Sequence, residues 1–327
     1  MSEEQKQEQE QTSPSTGKPA YGGQALIEGV MFAGKETTVS AIRRNTGDIE
    51  YFENVRKPMP TLQKLKKIPF VRGTVALIEA AAMGSKHMNF ASDRYDVHPD
   101  DDENIVTEEQ RSKIVSFIGV AAMAVFAFLI GTVIFTLVPV FLAELLSGPF
   151  PGHVAQNLLE GLFKTIILVG YIYLISLTPL IKRVFQYHGA EHKVINTYES
   201  NKPLTVENVQ EHSRLHYRCG SSFMLFTVII GVLIYLLVPF DNLFERIVHR
   251  LLLIPVVLGV SYEVLQFTNK LRDIPVLKWL GLPGLWLQLL TTKQPKDDQV
   301  EVSIASFEKL LERDEQLKAE KAGSNIV

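Results

Sequence analysis

Apolar positions along this chain are clustered rather than scattered. Residues 114 to 181 and 223 to 267 are nearly free of charge, whereas Asp, Glu, Lys and Arg gather at the two ends and around His188. Ile114 to Ala143 is thirty residues without a charge, more than the roughly 20 needed to cross a bilayer core. Thr165 to Ile181 follows, with Leu162 extending it and Lys164 placed to snorkel at one end, and Phe223 to Phe240 is the third such run. A fourth, Leu251 to Tyr262, is shorter and is flanked by His249, Arg250 and Glu263. The pattern predicts a mainly α membrane protein, a four-span helical bundle over residues 114–267 with soluble segments at both ends.

The flanks follow other periods. Residues 1–20 are rich in Glu, Gln, Ser and Pro, bury nothing and read as a disordered tail. They lack the basic start and apolar core of a secretory signal, so this end is expected in the cytosol. From Tyr21 to residue 113 the expectation is a small cytosolic α+β unit. Thr37 to Phe52 alternates β-branched and polar residues about the turn Asn45-Thr46-Gly47-Asp48, a β-hairpin signature. Gly22, Gly23, Gly29 and Gly34 fit tight strand packing better than a phosphate loop, because no Walker or Rossmann spacing follows them. Glu28 interrupts this apolar stretch, either as an edge residue facing water or as a deliberately placed polar group.

Lys64 to Asp93 is helical in composition but broken by Arg72, Glu79 and Lys86, which suits a helix lying on the membrane or against the bundle. Its basic start, Lys64, Lys66 and Lys67, would face anionic headgroups. Asp93 to Glu109 reads as a solvated acidic linker. Past the spans, residues 268–327 are expected to be a cytosolic interfacial segment followed by a helix. Leu271 to Leu290 carries Pro275, Pro283, Trp279 and Trp286 and suits a segment on the cytosolic leaflet, roofing the site. Val300 to Lys321 shows one apolar face of Val302, Ile304, Phe307, Leu310 and Leu311.

Charge sets the orientation. With four spans, Lys182, Arg183, Lys193, Arg214, Arg218, Lys270, Arg272 and Lys278 share one side, and the turn from Ser147 to Asn157 has no Lys or Arg. The shared side is therefore the cytosol, with both termini on it. A net charge of -3 gives no nucleic-acid signature. The single cysteine, Cys219, excludes an internal disulfide.

The polar stretch between the second and third spans carries the chemistry. His188-Gly-Ala-Glu191-His192 is an H-x-x-E-H sequence. On a helix, His188 and His192 share a face and can hold one metal ion, zinc or another divalent cation, while Glu191 handles a proton. The bland reading, hydrogen-bonded histidines at a membrane surface, competes. A catalytic zinc needs a third ligand, and the candidates are Glu263, Cys219, His216 and Glu199. Glu263 is favoured, because an ionisable group in an apolar helix needs a partner; pairing with Arg218 or Lys270 would also satisfy it. Arg72, Lys193 and Arg218 are candidate contacts to an anionic substrate, unless they simply reflect the positive-inside bias.

The stretches Gly22-Gly23-Gln24-Ala25 with Glu28-Gly29-Val30-Met31, Arg72-Gly73, His188 to Lys193, His216-x-Arg218-Cys219-Gly220, Tyr262-Glu263 and Pro283 to Gln288 with Thr291-Thr292 resemble the YqhQ family, also called DUF1385. The resemblance runs from about Tyr21 to about Leu311. It implies an uncharacterised bacterial multi-pass protein of the cytoplasmic membrane, in a family sometimes labelled a predicted metal-dependent enzyme. Two function classes follow. One is a zinc hydrolase at the cytosolic membrane surface, acting on a juxtamembrane peptide or a lipid-linked compound. The other is a non-enzymatic scaffold or assembly factor bound to a membrane-protein partner. A transporter fits less well, since the spans hold few polar residues.

Overall fold

A computed structural model describes residues 21–56, 60–104, 113–271 and 281–324. The predicted tail at 1–20, residues 105–109 of the acidic linker, and Arg272, Lys278 and Trp279 lie outside the described residues. The protein is mainly helical with one small antiparallel sheet. That sheet is a meander in the order β1 (Gly22–Leu26), β2 (Gly29–Ala33), β3 (Thr37–Arg43), β4 (Ile49–Val55). The hairpin expected about residues 45–48 is β3–β4. Arg43 lies opposite Ile49, the Arg44 N–H donates to the Asp48 carbonyl at 2.8 Å, and Gly47 supplies φ 95°. Glu28 sits in the β1–β2 turn at φ 52° and forms a two-pronged ion pair with Arg183.

Helices follow as α1 (Pro60–Leu65), α2 (Val71–Arg94) and α3 (Lys113–Thr132), which runs through a π-turn, Val133–Leu137, into α4 (Val138–Glu144). Next come α5 (His153–Ser176), α6 (Pro179–Glu199), α7 (Val206–Glu211), α8 (Ser221–Leu236), α9 (Leu243–Leu252), α10 (Ile254–Leu271), α11 (Leu282–Thr291) and α12 (Asp297–Ser324). The sheet is covered on both faces. Val30, Phe32, Val39 and Ala41 pack on Tyr187, Ala190 and Val194 of α6 and on Val302, Phe307 and Leu310 of α12. Leu26, Met31 and Ile42 pack on Phe90 and Ala91 of α2. Each of these large buried side chains contributes roughly 1.5–3 kcal/mol. The alternation of β2 between the two clusters is why its residues are almost all buried.

Among the described residues, two helices are long and apolar enough to cross a membrane, Val125–Glu144 and His153–Ser176. A third qualifies if α9 and α10, bent by 50° at their junction, count as one span. Helix α8 is apolar but 16 residues long, about 24 Å against a hydrocarbon core near 30 Å. The second apolar helix differs from the sequence expectation at its start, which is His153 and not Thr165. Its first turns carry Gln156, Asn157 and Glu160, all buried. Arg246 and Arg250, each 0% exposed, reach across from α9 to Glu160 at 3.0 Å and to Gln156 and Asn157. Arg250, expected as a flank of the fourth apolar run, is thus part of an internal network.

Candidate metal centre

Helix α6 presents two polar faces to its surroundings. Lys193 Nζ donates to the carbonyls of Gln210 (2.8 Å) and His212 (2.6 Å), and Asn196 Nδ2 donates to those of Ser213 (2.7 Å) and Leu215 (3.0 Å). These bonds strap the end of α7 and the loop 212–219 along the helix. Arg214 Nη1 ties the same loop to the end of α11 through the Thr292 carbonyl at 2.6 Å. Gln288 of α11 accepts from the His216 N–H at 2.8 Å and donates to the His216 carbonyl at 2.8 Å. Cys219 follows, two residues before α8, and receives the Ser221 N–H at 3.4 Å.

The outcome is a cluster of three donors, His188, His192 and Cys219, whose ligand atoms all lie within 4.8 Å of one another. His188 Nδ1 donates to the Thr291 carbonyl at 2.8 Å and His192 Nδ1 donates to the Arg214 carbonyl at 2.7 Å. A carbonyl only accepts, so both rings carry hydrogen on Nδ1 and turn Nε2 inward. His188 Nε2 is 3.2 Å from Cys219 Sγ, whereas His192 Nε2 is buried and has no hydrogen-bond partner among the described residues. Tetrahedral zinc, with Zn–N near 2.0 Å and Zn–S near 2.3 Å, wants its donors roughly 3.3–3.7 Å apart. The residues fit such an ion: two imidazoles with tautomers fixed from behind, one thiolate, and an orphaned nitrogen aimed at the same point.

Electrostatics reinforce this. Burial opposes charge on Cys219, but His192 and His188 outweigh it and hold the thiol well below its usual range. Burial also opposes charge on His188, but the thiolate beside it dominates and its pKa is pushed up to about 9. Glu191 is buried, its carboxyl pKa is raised by that burial, and its Oε2 has no hydrogen-bond partner among the described residues.

The donors open into a cavity of about 520 Å³ whose other wall is Tyr21 and Gly22 to Ala25. A Cβ on Gly23 would stand 2.8 Å from the Glu191 carboxylate, so a glycine lets β1 lie on the acid. Gly189 works the same way on the opposite side of α6, where a Cβ would meet the Lys293 carbonyl at 2.1 Å. Of the other glycines, Gly29 packs against the Ala41 backbone and Gly34 against Asp314, while Gly22 has open space.

The remaining candidates separate. Glu263, favoured as third ligand, is instead engaged by Arg72, with Arg72 Nε at 2.7 Å, and by the Phe70 N–H at 3.1 Å. The structure gathers Cys219 with the histidines in its place. The reason is geometric: α10 packs on α2, and that contact delivers a guanidinium to Glu263 before any metal need be invoked. Arg72 is therefore spent on Glu263, and Lys193 is buried on loop carbonyls. Arg218 does line the cavity and is paired with Glu199. His216 also lines it, with Nε2 3.7 Å from Glu199.

The sequence profile described as "Protein of unknown function (DUF1385)" matches residues 68–313, which hold all three donors and Glu191. The chain belongs to the DUF1385 family. The "Uncharacterized protein YqhQ" of Bacillus subtilis (strain 168) is 62% identical over 294 residues, covering 90% of this chain and 92% of the relative. No solved structure matches. What the sequence did not reveal in this DUF1385 member is the pair of carbonyls behind the histidines and the strand in front of Glu191; Thr291-Thr292 was visible without a role, and Gly22-Gly23 was read for strand packing and not for its place beside the acid.

Proposed function

We propose that this DUF1385 member is a metal-dependent hydrolase working at the cytosolic surface of a four-span membrane domain. His188, His192 and Cys219 hold a divalent cation, with zinc the best match to two imidazoles and a thiolate. The observation that carries the reading is the buried, unpartnered His192 Nε2, aimed with His188 Nε2 and Cys219 Sγ at one point while both Nδ1 atoms are committed to carbonyls. When bound, the ion would polarise a carbonyl or phosphoryl oxygen and acidify water in the cavity. Glu191, one step round the helix and free at Oε2, accepts a proton from the attacking water and returns it to the leaving group. One water is consumed and one acyl or phosphoryl bond is broken. Burial favours this role, since it raises the Glu191 carboxyl above the usual carboxylate range and so makes it a better proton acceptor.

The test is zinc per chain in protein purified in mild detergent without a histidine tag. Wild type should carry about one, His192→Ala and Cys219→Ser should lose it, and Glu191→Gln and Glu263→Gln should keep it. Equal zinc in all variants, or none in wild type after purification in zinc-containing buffer, overturns the reading.

A second reading rests on the 3.2 Å from His188 Nε2 to Cys219 Sγ. A thiolate paired with an imidazolium is a nucleophile in its own right. Metal-free wild type with a Cys219 that alkylates rapidly at neutral pH would favour it. Metal-free protein with an inert Cys219 leaves the scaffold.

A further inference from the structure

We propose that the site takes its substrate as an extended peptide, hydrogen-bonded along the outer edge of β1 as a fifth strand of the sheet. The hydrolase reading says what becomes of such a peptide; how it is held stands on separate observations. Strand β1 is at one end of the sheet, and Gly22 to Ala25 form the wall of the cavity facing His188, Glu191, His192 and Cys219.

The register says which backbone groups are offered. The Arg43 N–H donates to the Glu28 carbonyl at 2.8 Å, while Gly29 lies opposite Ile42. Gly29 and Ile42 are therefore a non-bonded pair, and Gly29 turns its own N–H and C=O toward Leu26 across the β1–β2 ladder. Bonding alternates along an antiparallel ladder, so Ala25 and Gly23, opposite Val30 and Phe32, turn their N–H and C=O to the outer edge. Among the described residues, no hydrogen bond reaches that edge. Gly22 and Gly23 are exposed and carry no side chain to block an incoming strand. Gly23 and Ala25 also share the face of the sheet that packs on α6, the face where Glu191 lies.

The chemistry of the wall selects the occupant. A phosphate or lipid headgroup wants cations, yet the Arg218 guanidinium on this wall is already paired with Glu199. The alternating donors and acceptors of β1 match another peptide backbone. At about 3.4 Å per residue, the five residues of the strand would pair with a peptide segment of similar length.

The test uses full-length Glu191→Gln protein in mild detergent, with zinc content measured in parallel. The probe is a pool of fluorescein-labelled decapeptides randomised among Ala, Ser, Thr, Val and Leu, followed by fluorescence anisotropy. A companion pool is N-methylated at every amide of its central six residues. The parent pool should bind and the methylated pool should bind about tenfold or more weakly, the loss of two or more backbone hydrogen bonds. Ala25→Pro should weaken parent binding to a similar extent with zinc unchanged, because proline is tolerated on an edge strand where the N–H faces outward. If that variant does not fold, the two pools on the unaltered edge decide. The proposal is overturned if both pools bind alike, if Ala25→Pro in folded protein binds as its parent does, or if no peptide binds and dihexanoylphosphatidylglycerol does. Peptide binding sensitive to N-methylation in protein that holds no zinc would sink the hydrolase reading alone.

Discussion

Replacing Glu160 by glutamine removes the one carboxylate that lies between two fully buried guanidiniums. Glu160, 3% exposed, accepts from Arg246 Nη2 at 3.0 Å and from Arg250 Nε at 3.0 and 3.1 Å. Gln156 Oε1 at 3.0 Å and the Gln156 carbonyl at 3.0 Å complete Arg246, and Glu144, whose side chain is 40% exposed, stands 3.5 Å away at the rim. An amide keeps the shape and one acceptor oxygen but leaves two cations facing each other. Breaking a buried ion pair by removing one partner costs about 3–5 kcal/mol. At roughly 2 °C per kcal/mol for a chain of this size, the melting temperature should fall by about 6–10 °C. Glu144→Gln serves as the control and should cost under about 1 kcal/mol. Cys219, the single cysteine and buried, reports unfolding through a fluorogenic thiol dye, so thermal ramps in detergent with chelator present measure both variants. A Glu160→Gln shift no larger than that of Glu144→Gln would refute the reasoning, because it would mean the arginines reach water or another anion.

Two further outcomes follow from titrating groups. The Cys219 thiolate holds His188 protonated up to about pH 9, yet a metal-ligating histidine must be neutral. Zinc binding should therefore release about one proton at pH 7.5, with affinity rising about tenfold per pH unit and levelling off above about pH 9; calorimetry in two buffers of different ionisation enthalpy measures it, and no proton release would refute it. His87 lies buried between sheet and α2 with its ring nitrogens 2.9 Å from Thr38 Oγ1 and Ser40 Oγ, and burial lowers its pKa to about 4. The unfolded chain, with an ordinary histidine near 6.5, binds more protons across that window, so stability should fall by up to about 3 kcal/mol as pH drops from 6.5 to 4. Denaturation at several pH values should show that component in wild type and not in His87→Gln.

What could be read from the sequence divides along the range of the interaction. The β3–β4 hairpin, the apolar face of α12 and the shared face of His188 and His192 depend on neighbours within a few residues, and local pattern gave them. The start of α5 did not follow from pattern, because Glu160 looks like a span boundary until Arg246 and Arg250 arrive from 86 and 90 positions away. Arg250, read as a flank of the fourth apolar run, is interior for the same reason. Glu263 was sound as an ionisable residue that needs a partner, and the partner is Arg72, 191 positions upstream. Among Glu199, His216, Cys219 and Glu263, spacing along the chain carried nothing to separate them. Cys219 joins the histidines because Lys193 and Asn196 strap the loop before it to α6, a contact with no signature in periodicity.

The carbonyls behind the two histidines come from different segments, Thr291 at the end of α11 and Arg214 in the loop before α8. Those segments are themselves bound together, through Arg214 to Thr292 and Gln288 to His216. The H-x-x-E-H helix alone therefore fixes the spacing of the imidazoles but not which nitrogen each presents. Only when α11 docks along α8, with Gly284 against Ser222, are both Nε2 atoms turned to Cys219. Donor geometry is thus a property of the docked C-terminal segment as much as of α6. A change such as Gly284→Leu, whose Cβ would crowd Ser222 at 2.6 Å, should act on the centre by loosening both histidines together, which a fault in a single ligand does not do.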